Sequence, residues 1–168
     1  VINTAGPVEI GALFAGDGIF KSTDGGISWT QLPSTVSGTV QWDQPFDFVW
    51  NMATDPSNAA QDEVYAATFG GIYRSSDGGS AWVRVLGGFS NSASLYTDVA
   101  VTSTGVVYAM LSERTNDPAA SSASRGVWRS TDGITWTNIT PTGWPTSYSR
   151  IVIGIAPSNE NIVYFVGE

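Results

Sequence analysis

A phrase of eight residues that recurs along the chain limits the fold more than any other feature. Ser75-Ser76-Asp77-Gly78-Gly79-Ser80-Ala81-Trp82 is echoed by Ser22-Thr23-Asp24-Gly25-Gly26-Ile27-Ser28-Trp29 and, one residue shorter, by Ser130-Thr131-Asp132-Gly133-Ile134-Thr135-Trp136. Repetition at such a period denotes a stacked or radial array in which each unit is one supersecondary element. The chemistry of the phrase is that of a hairpin turn. Asp accepts bonds from backbone N–H groups further along the turn, Gly takes the positive φ of a tight reversal, and Trp returns on the outgoing strand, where its ring packs beneath the turn. An Asp saturated by backbone donors makes a poor proton shuttle. Ser22, Asp24, Gly26, Trp29, Ser75, Asp77, Gly79, Trp82, Ser130, Asp132 and Trp136 are therefore read as structural.

A second phrase precedes each copy of the first, called a box below. Leu13-Phe14-Ala15-Gly16 leads to Gly18-Ile19-Phe20-Lys21, Val64-Tyr65-Ala66-Ala67 to Gly71-Ile72-Tyr73-Arg74, and Val107-Tyr108-Ala109-Met110 to Gly126-Val127-Trp128-Arg129; Val163-Tyr164-Phe165-Val166 begins a fourth. Lys21, Arg74 and Arg129 thus share one repeated slot before the box Ser. Apolar runs at 49–54, 97–101 and 151–155 end in turn sequences and read as inner strands buried on both faces. With the strand that follows each Trp, a unit holds four strands, the content of one propeller blade. The expected fold is all-β: blades of four antiparallel strands with box turns, about three of them in an incomplete ring. The units fall approximately at 1–32, 48–86 and 97–140, with a fourth starting at 150–168. The 19 Gly, 8 Pro and 12% aromatic content agree with many short strands and turns.

The repeated phrase resembles the Asp-box of the bacterial neuraminidase repeat, Ser-x-Asp-x-Gly-x-x-Trp. The first two copies match it fully and the third lacks one turn residue. The resemblance implies a β-propeller in which the box joins the third and fourth strands of a blade, at the rim and away from any active site. Sialidases, sortilin-like receptors, xyloglucan-degrading endoglucanases and photosystem assembly factors carry it, so it implies a fold rather than a chemistry.

Composition removes several classes of function. The chain of 168 residues has no Cys and no His, which excludes thiol nucleophiles, Ser-His-Asp triads and the usual zinc sites. A net charge of −8 with a single Lys argues against nucleic acid and anionic membrane surfaces as partners. No apolar run approaches the ~20 residues of a membrane span. No cofactor or metal is expected: residues 113–118 offer oxygen ligands without the spacing of a calcium loop, and Asn138-Ile139-Thr140 is only a glycosylation acceptor pattern. The chain starts at Val1 and reads as a mature product or a piece of a longer chain. Together with the resemblance this gives a secreted or cell-surface setting, bacterial in origin.

Two long segments, 33–48 and 112–125, leave a blade of this kind on the face opposite the box turns, and long loops on a rigid scaffold are where binding resides. Trp42, Phe46, Phe48 and Trp50 lie at even spacing and would share one side of an extended chain suited to sugar rings. Phe48 and Trp50 equally fit the inner strand as blade-packing residues. The corresponding linkers carry Phe89 and Tyr96, then Trp144 and Tyr148, although Trp144 between prolines could as well cap the core. The candidate ligand-binding set is therefore Trp42, Phe46, Phe89, Tyr96, Trp144 and Tyr148. Glycosidase chemistry needs two carboxylates about 5–9.5 Å apart. Asp17, Asp43, Asp47 and Asp98 are positioned for it, and Asp17 stands near where xyloglucan-degrading relatives carry an acid. Their remaining local pattern is missing, which favours surface acids. Sialidase chemistry lacks its convergent arginines. The expected function is a non-catalytic binding propeller whose ligand is a glycan or a protein, completed by a longer chain or an oligomer. The alternative is a fragment of a glycoside hydrolase with part of its acid pair elsewhere.

Overall fold

A computed structural model describes residues 16–37, 44–88, 96–112, 125–145, 148 and 150–167. Trp42, Asp43, Phe89 and the 113–118 loop lie outside them. The described chain is built from antiparallel sheets arranged as propeller blades. Blade 2 is β3 (Val49–Thr54), β4 (Val64–Thr68), β5 (Gly71–Ser75) and β6 (Val83–Gly87), hydrogen-bonded in that order. Blade 3 repeats it with β7 (Thr97–Val101), β8 (Val107–Leu111), β9 (Gly126–Ser130) and β10 (Thr137–Asn138). Before them, β1 (Phe20–Lys21) pairs with β2 (Thr30–Gln31); after them, β11 (Ile151–Ile155) pairs with β12 (Val163–Gly167). Because neighbouring strands alternate in direction, the box turns and the β3–β4 and β7–β8 turns share one face. The inter-blade linkers and the β4–β5 turn share the other, here the linker face.

Each box closes on itself. Ser75 Oγ donates to Asp77 Oδ1 at 2.8 Å and accepts from Gly79 N, while Asp77 Oδ1 also accepts from Ala81 N at 2.9 Å. The first box repeats this with Ser22, Asp24, Gly26 and Ser28, and the third, one residue shorter, with Ser130, Asp132, Gly133 and Thr135. Gly78 and Gly79 take φ of 71° and 94°, the left-handed region the turn demands.

The boxes also join blades. An ideal Cβ on Gly79 would strike Leu32 of the preceding blade, and one on Gly133 would strike the Tyr65 hydroxyl. Ser34 Oγ donates to Gly79 O at 2.6 Å, and Lys21 Nζ bonds both Asp62 and Gly78 O. Trp82 packs against the cluster of Ile19, Phe46 and Ala66, as Leu32 of the preceding blade does, with Phe46 5.3 Å away between ring centroids; Trp136 packs against the cluster of Tyr65, Ile72, Val99 and Leu111. Trp29 departs from the expected buried staple: it is 62% exposed. Its Nε1 donates to Gly26 O instead.

Glu63 is buried at the turn face beneath this seam, with Arg74 forming a two-pronged pair to it at 2.7 and 2.9 Å, Tyr65 Oη donating at 2.5 Å and Asn58 at 3.1 Å. Burial alone would raise its pKa, but these donors outweigh it and hold the carboxyl below the ordinary range.

The inner strands are not all buried on both faces. In β3, Val49, Trp50 and Ala53 are half-buried, whereas Asn51, Met52 and Thr54 are exposed. Nor is the stretch ahead of β3 extended. Pro45–Asp47 forms a 3₁₀ turn, started by Pro45 and closed by a reciprocal cap in which Asp47 accepts from Gln44 N at 3.2 Å. Even spacing therefore does not align its aromatics.

Candidate functional site

The linker-face ends of β3, β7 and β11 converge around the axis on a cavity of 180 Å³ lined by Trp50, Asn51, Tyr96, Asp98, Arg150 and the start of β11. Inner strands expose one edge of backbone donors and acceptors toward the axis, and such edges must be satisfied. Here two polar side chains do so. Asn51 Oδ1 accepts from Met52 N at 2.8 Å, and Asn51 Nδ2 donates to Asp98 Oδ1 at 2.6 Å and to Val99 O at 3.3 Å. Asp98 Oδ1 also accepts from Val99 N at 2.9 Å, and Asp98 Oδ2 accepts from Ile153 N at 2.7 Å. Asp98, 5% exposed, thus ties three blades together in the lining of the cavity.

The aromatic wall follows from a one-residue irregularity. The β3–β4 register slips between Val49 and Asn51, so Trp50 is the extra residue of a β-bulge. Bulges re-aim side chains and gather beside functional sites. Trp50 stacks with Phe48 at 6.0 Å and meets Tyr96 at 4.9 Å, tilted by 52°. Tyr96 is fixed by a backbone exchange with Ser112, whose Oγ accepts from Tyr96 N while its own N donates to Tyr96 O. Arg150 is exposed at the mouth, with no ion pair among the described residues.

Of the aromatics expected to face a ligand, only Tyr96 lines this cavity among the described residues. Phe46 is buried between Tyr73 and Trp82, where the 3₁₀ turn drives it into the seam between blades. Tyr148 is buried with its hydroxyl donating to Leu111 O. Trp144 meets it edge-on at 5.9 Å, covers Gly167 and packs on the cluster of Met110, Val127 and Ile151, so it caps the core. Trp144 and Tyr148 also line a second cavity, of 290 Å³, with Arg125, Asn138 and Thr140. Trp50, which also fitted the inner strand as a packing residue, belongs to the site.

The acids divide similarly. Asp47 is buried in its capping turn, Asp98 is saturated by donors, and Asp17 is exposed just before β1, its carbonyl bonded by Gln31 Nε2. The box aspartates are held below the ordinary carboxylate range: Asp24 chiefly by Ser28, Asp77 by Ala81 N, and Asp132 by Thr135 N. They are acceptors, not acids. Among the described residues no group of three His, Cys, Asp or Glu could hold a metal, and no helix is long and apolar enough to cross a membrane. The arrangement suits holding a ring between aromatic edges and polar donors.

No protein-family model matches the chain. It is similar to the xyloglucanase Xgh74A of Acetivibrio thermocellus, with 28% identity over 163 residues covering 87% of this chain and 19% of that protein. The fold is that of the GH74 enzyme of Niastella koreensis, TM-score 0.59 at 24% identity over 87% of this chain and 21% of that one. An ancestral GH74 enzyme is similar at TM-score 0.58 and 25% identity, over 86% of this chain and 18% of its own. The chain therefore spans about a fifth of the relatives it matches.

Proposed function

We propose that this chain is an Asp-box propeller segment of a xyloglucan-active glycoside hydrolase, contributing part of the glycan-binding face. The observation that carries this reading is the similarity to a xyloglucanase over 87% of the chain, which extends well beyond the three box turns. The aromatic and cationic cavity on the linker face supports it: the face opposite the box turns is where the longest loops leave the scaffold, and it holds the aromatics suited to sugar. This favours the hydrolase alternative over a stand-alone binding propeller. A polymer substrate of this kind is met outside the cell, which suits a secreted or surface-attached protein of bacterial type. Asp17, exposed at the linker-face start of β1, is the residue at which the family resemblance implies an acid, and its partner carboxyl lies elsewhere in a longer protein.

Affinity electrophoresis of the full chain through gels containing xyloglucan tests the binding part. Retardation without release of reducing sugar is expected, since the described residues bring no two free carboxylates together. Migration unchanged by xyloglucan would refute it. In a longer protein that contains the chain, Asp17→Asn should abolish hydrolysis while leaving retardation intact.

A further inference from the structure

We infer that the axial cavity between Trp50, Tyr96 and Arg150 is a subsite for one neutral pyranose ring, a branch or chain end rather than a stretch of backbone. The ligand class rests on the functional reading above; the size, shape and neutrality come from the cavity. Pockets for drug-sized ligands run to about 300–1,000 Å³, so 180 Å³ admits on the order of one ring. Asn51 and Asp98, both in its lining, bridge β3, β7 and β11, and a volume of about one ring is not the elongated groove that a run of backbone units would need.

The wall chemistry fits a neutral sugar. Trp50 and Tyr96 meet at a tilt, so together they present apolar surface to the C–H side of a ring. Polar contact comes from Arg150 at the rim, whose fork of donors suits hydroxyl or ether oxygens as well as carboxylates. The cavity's carboxylate, Asp98, is already saturated by three donors, which discourages an anion beside it without supplying a base. Asp98 is thus a positioning residue. By bonding Asn51 on β3 and Ile153 on β11 from its own place on β7, it fixes the spacing of the strands that carry Trp50, Tyr96 and Arg150.

The experiment is titration of the full chain with a branched xyloglucan oligosaccharide, the matching unbranched cello-oligosaccharide and glucuronic acid, followed by isothermal calorimetry and tryptophan fluorescence. The branched oligosaccharide should bind best and quench Trp emission. Arg150→Met, an exposed change that leaves the fold intact, should weaken it about tenfold or more, and Trp50→Ala by a similar factor. Gln61→Ala on the opposite face should change nothing. Asp98→Asn should weaken binding while leaving the dependence of affinity on pH unchanged, as a positioning group would. If xyloglucan retards the chain but Arg150→Met and Trp50→Ala bind like the parent, the subsite is wrong and the functional reading stands. Equal affinity for unbranched chains, or preference for glucuronic acid, overturns the subsite too. A chain that binds none of the three, and that xyloglucan does not retard, overturns both.

Discussion

Replacing Asp98 by Asn changes one atom and should be among the most damaging conservative substitutions in the chain. Both carboxylate oxygens accept from fixed donors: Oδ1 from Asn51 Nδ2 and Val99 N, Oδ2 from Ile153 N. An Asn amide must turn its NH₂ toward one of these sets, and either choice places donor against donor in a site that is 5% exposed. Asn51 cannot relieve the conflict by turning over, since its own Oδ1 is committed to Met52 N and its Nδ2 to Val99 O. Leaving a buried donor unsatisfied costs about 1–3 kcal/mol, and bonds to an ionised acceptor lie at the upper end. A loss of about 2–3 kcal/mol follows for Asp98→Asn, seen in urea as a lower midpoint at unchanged slope. At about 2–4 °C per kcal/mol for a chain of this size, melting should fall by roughly 4–12 °C. Because the two side chains share a bond, the Asn51→Ala and Asp98→Asn effects should not add. A variant within about 0.5 kcal/mol of the parent, or strict additivity, would refute the bridging role.

Three further outcomes are expected. Trp82→Ala should destabilise by about 3–5 kcal/mol, more than Asp77→Ala and clearly more than Trp29→Ala, whose ring is mostly in water; thermal melts in another order would contradict the seam packing. Arg74→Met should cost about 3–5 kcal/mol by leaving the buried Glu63 carboxylate unpaired. Glu63 has its carboxyl pKa lowered on folding, so the stabilisation is complete above the ordinary Glu value of about 4.3 and is lost as pH falls through the lower folded value. Glu63→Gln should accordingly flatten the stability curve in that acidic window, and an unaltered curve would exclude the linkage. Tyr164 and Val166, 63% and 65% exposed on the open side of the β11–β12 sheet, should drive self-association of the isolated chain. Sedimentation should show Val166→Lys shifting it toward monomer, and a parent that is monomeric at all concentrations would contradict this.

What could be read in the sequence was what local chemistry decides. The box turns are fixed by Ser, Asp and Gly bonding to their own backbone, so the phrase that recurs is also the structure that recurs, and four strands per unit follow from the spacing. The site was harder because tertiary contacts decide it. Phe46 and Tyr148 look identical to ligand-facing aromatics in a linear reading, yet a 3₁₀ turn and a hydroxyl aimed at Leu111 O place them inside. Trp50 reaches the cavity through a one-residue slip in pairing, which leaves no trace in composition or periodicity. Asp98 stood out as a well-placed acid; only its donors from two neighbouring strands, Asn51 on β3 and Ile153 on β11, reveal that it holds the blades in register.

The docking of each box onto the blade before it makes the array directional. Leu32 is covered by Gly79 and Tyr65 by Gly133, so the groups that seal one blade are encoded 47 and 68 residues downstream. On a ribosome adding about 5–20 residues per second, a newly made blade waits several seconds for its cover. During that interval its seam is a chaperone's substrate, and a message cut short between boxes leaves the last finished blade unsealed, whatever the integrity of its own four strands.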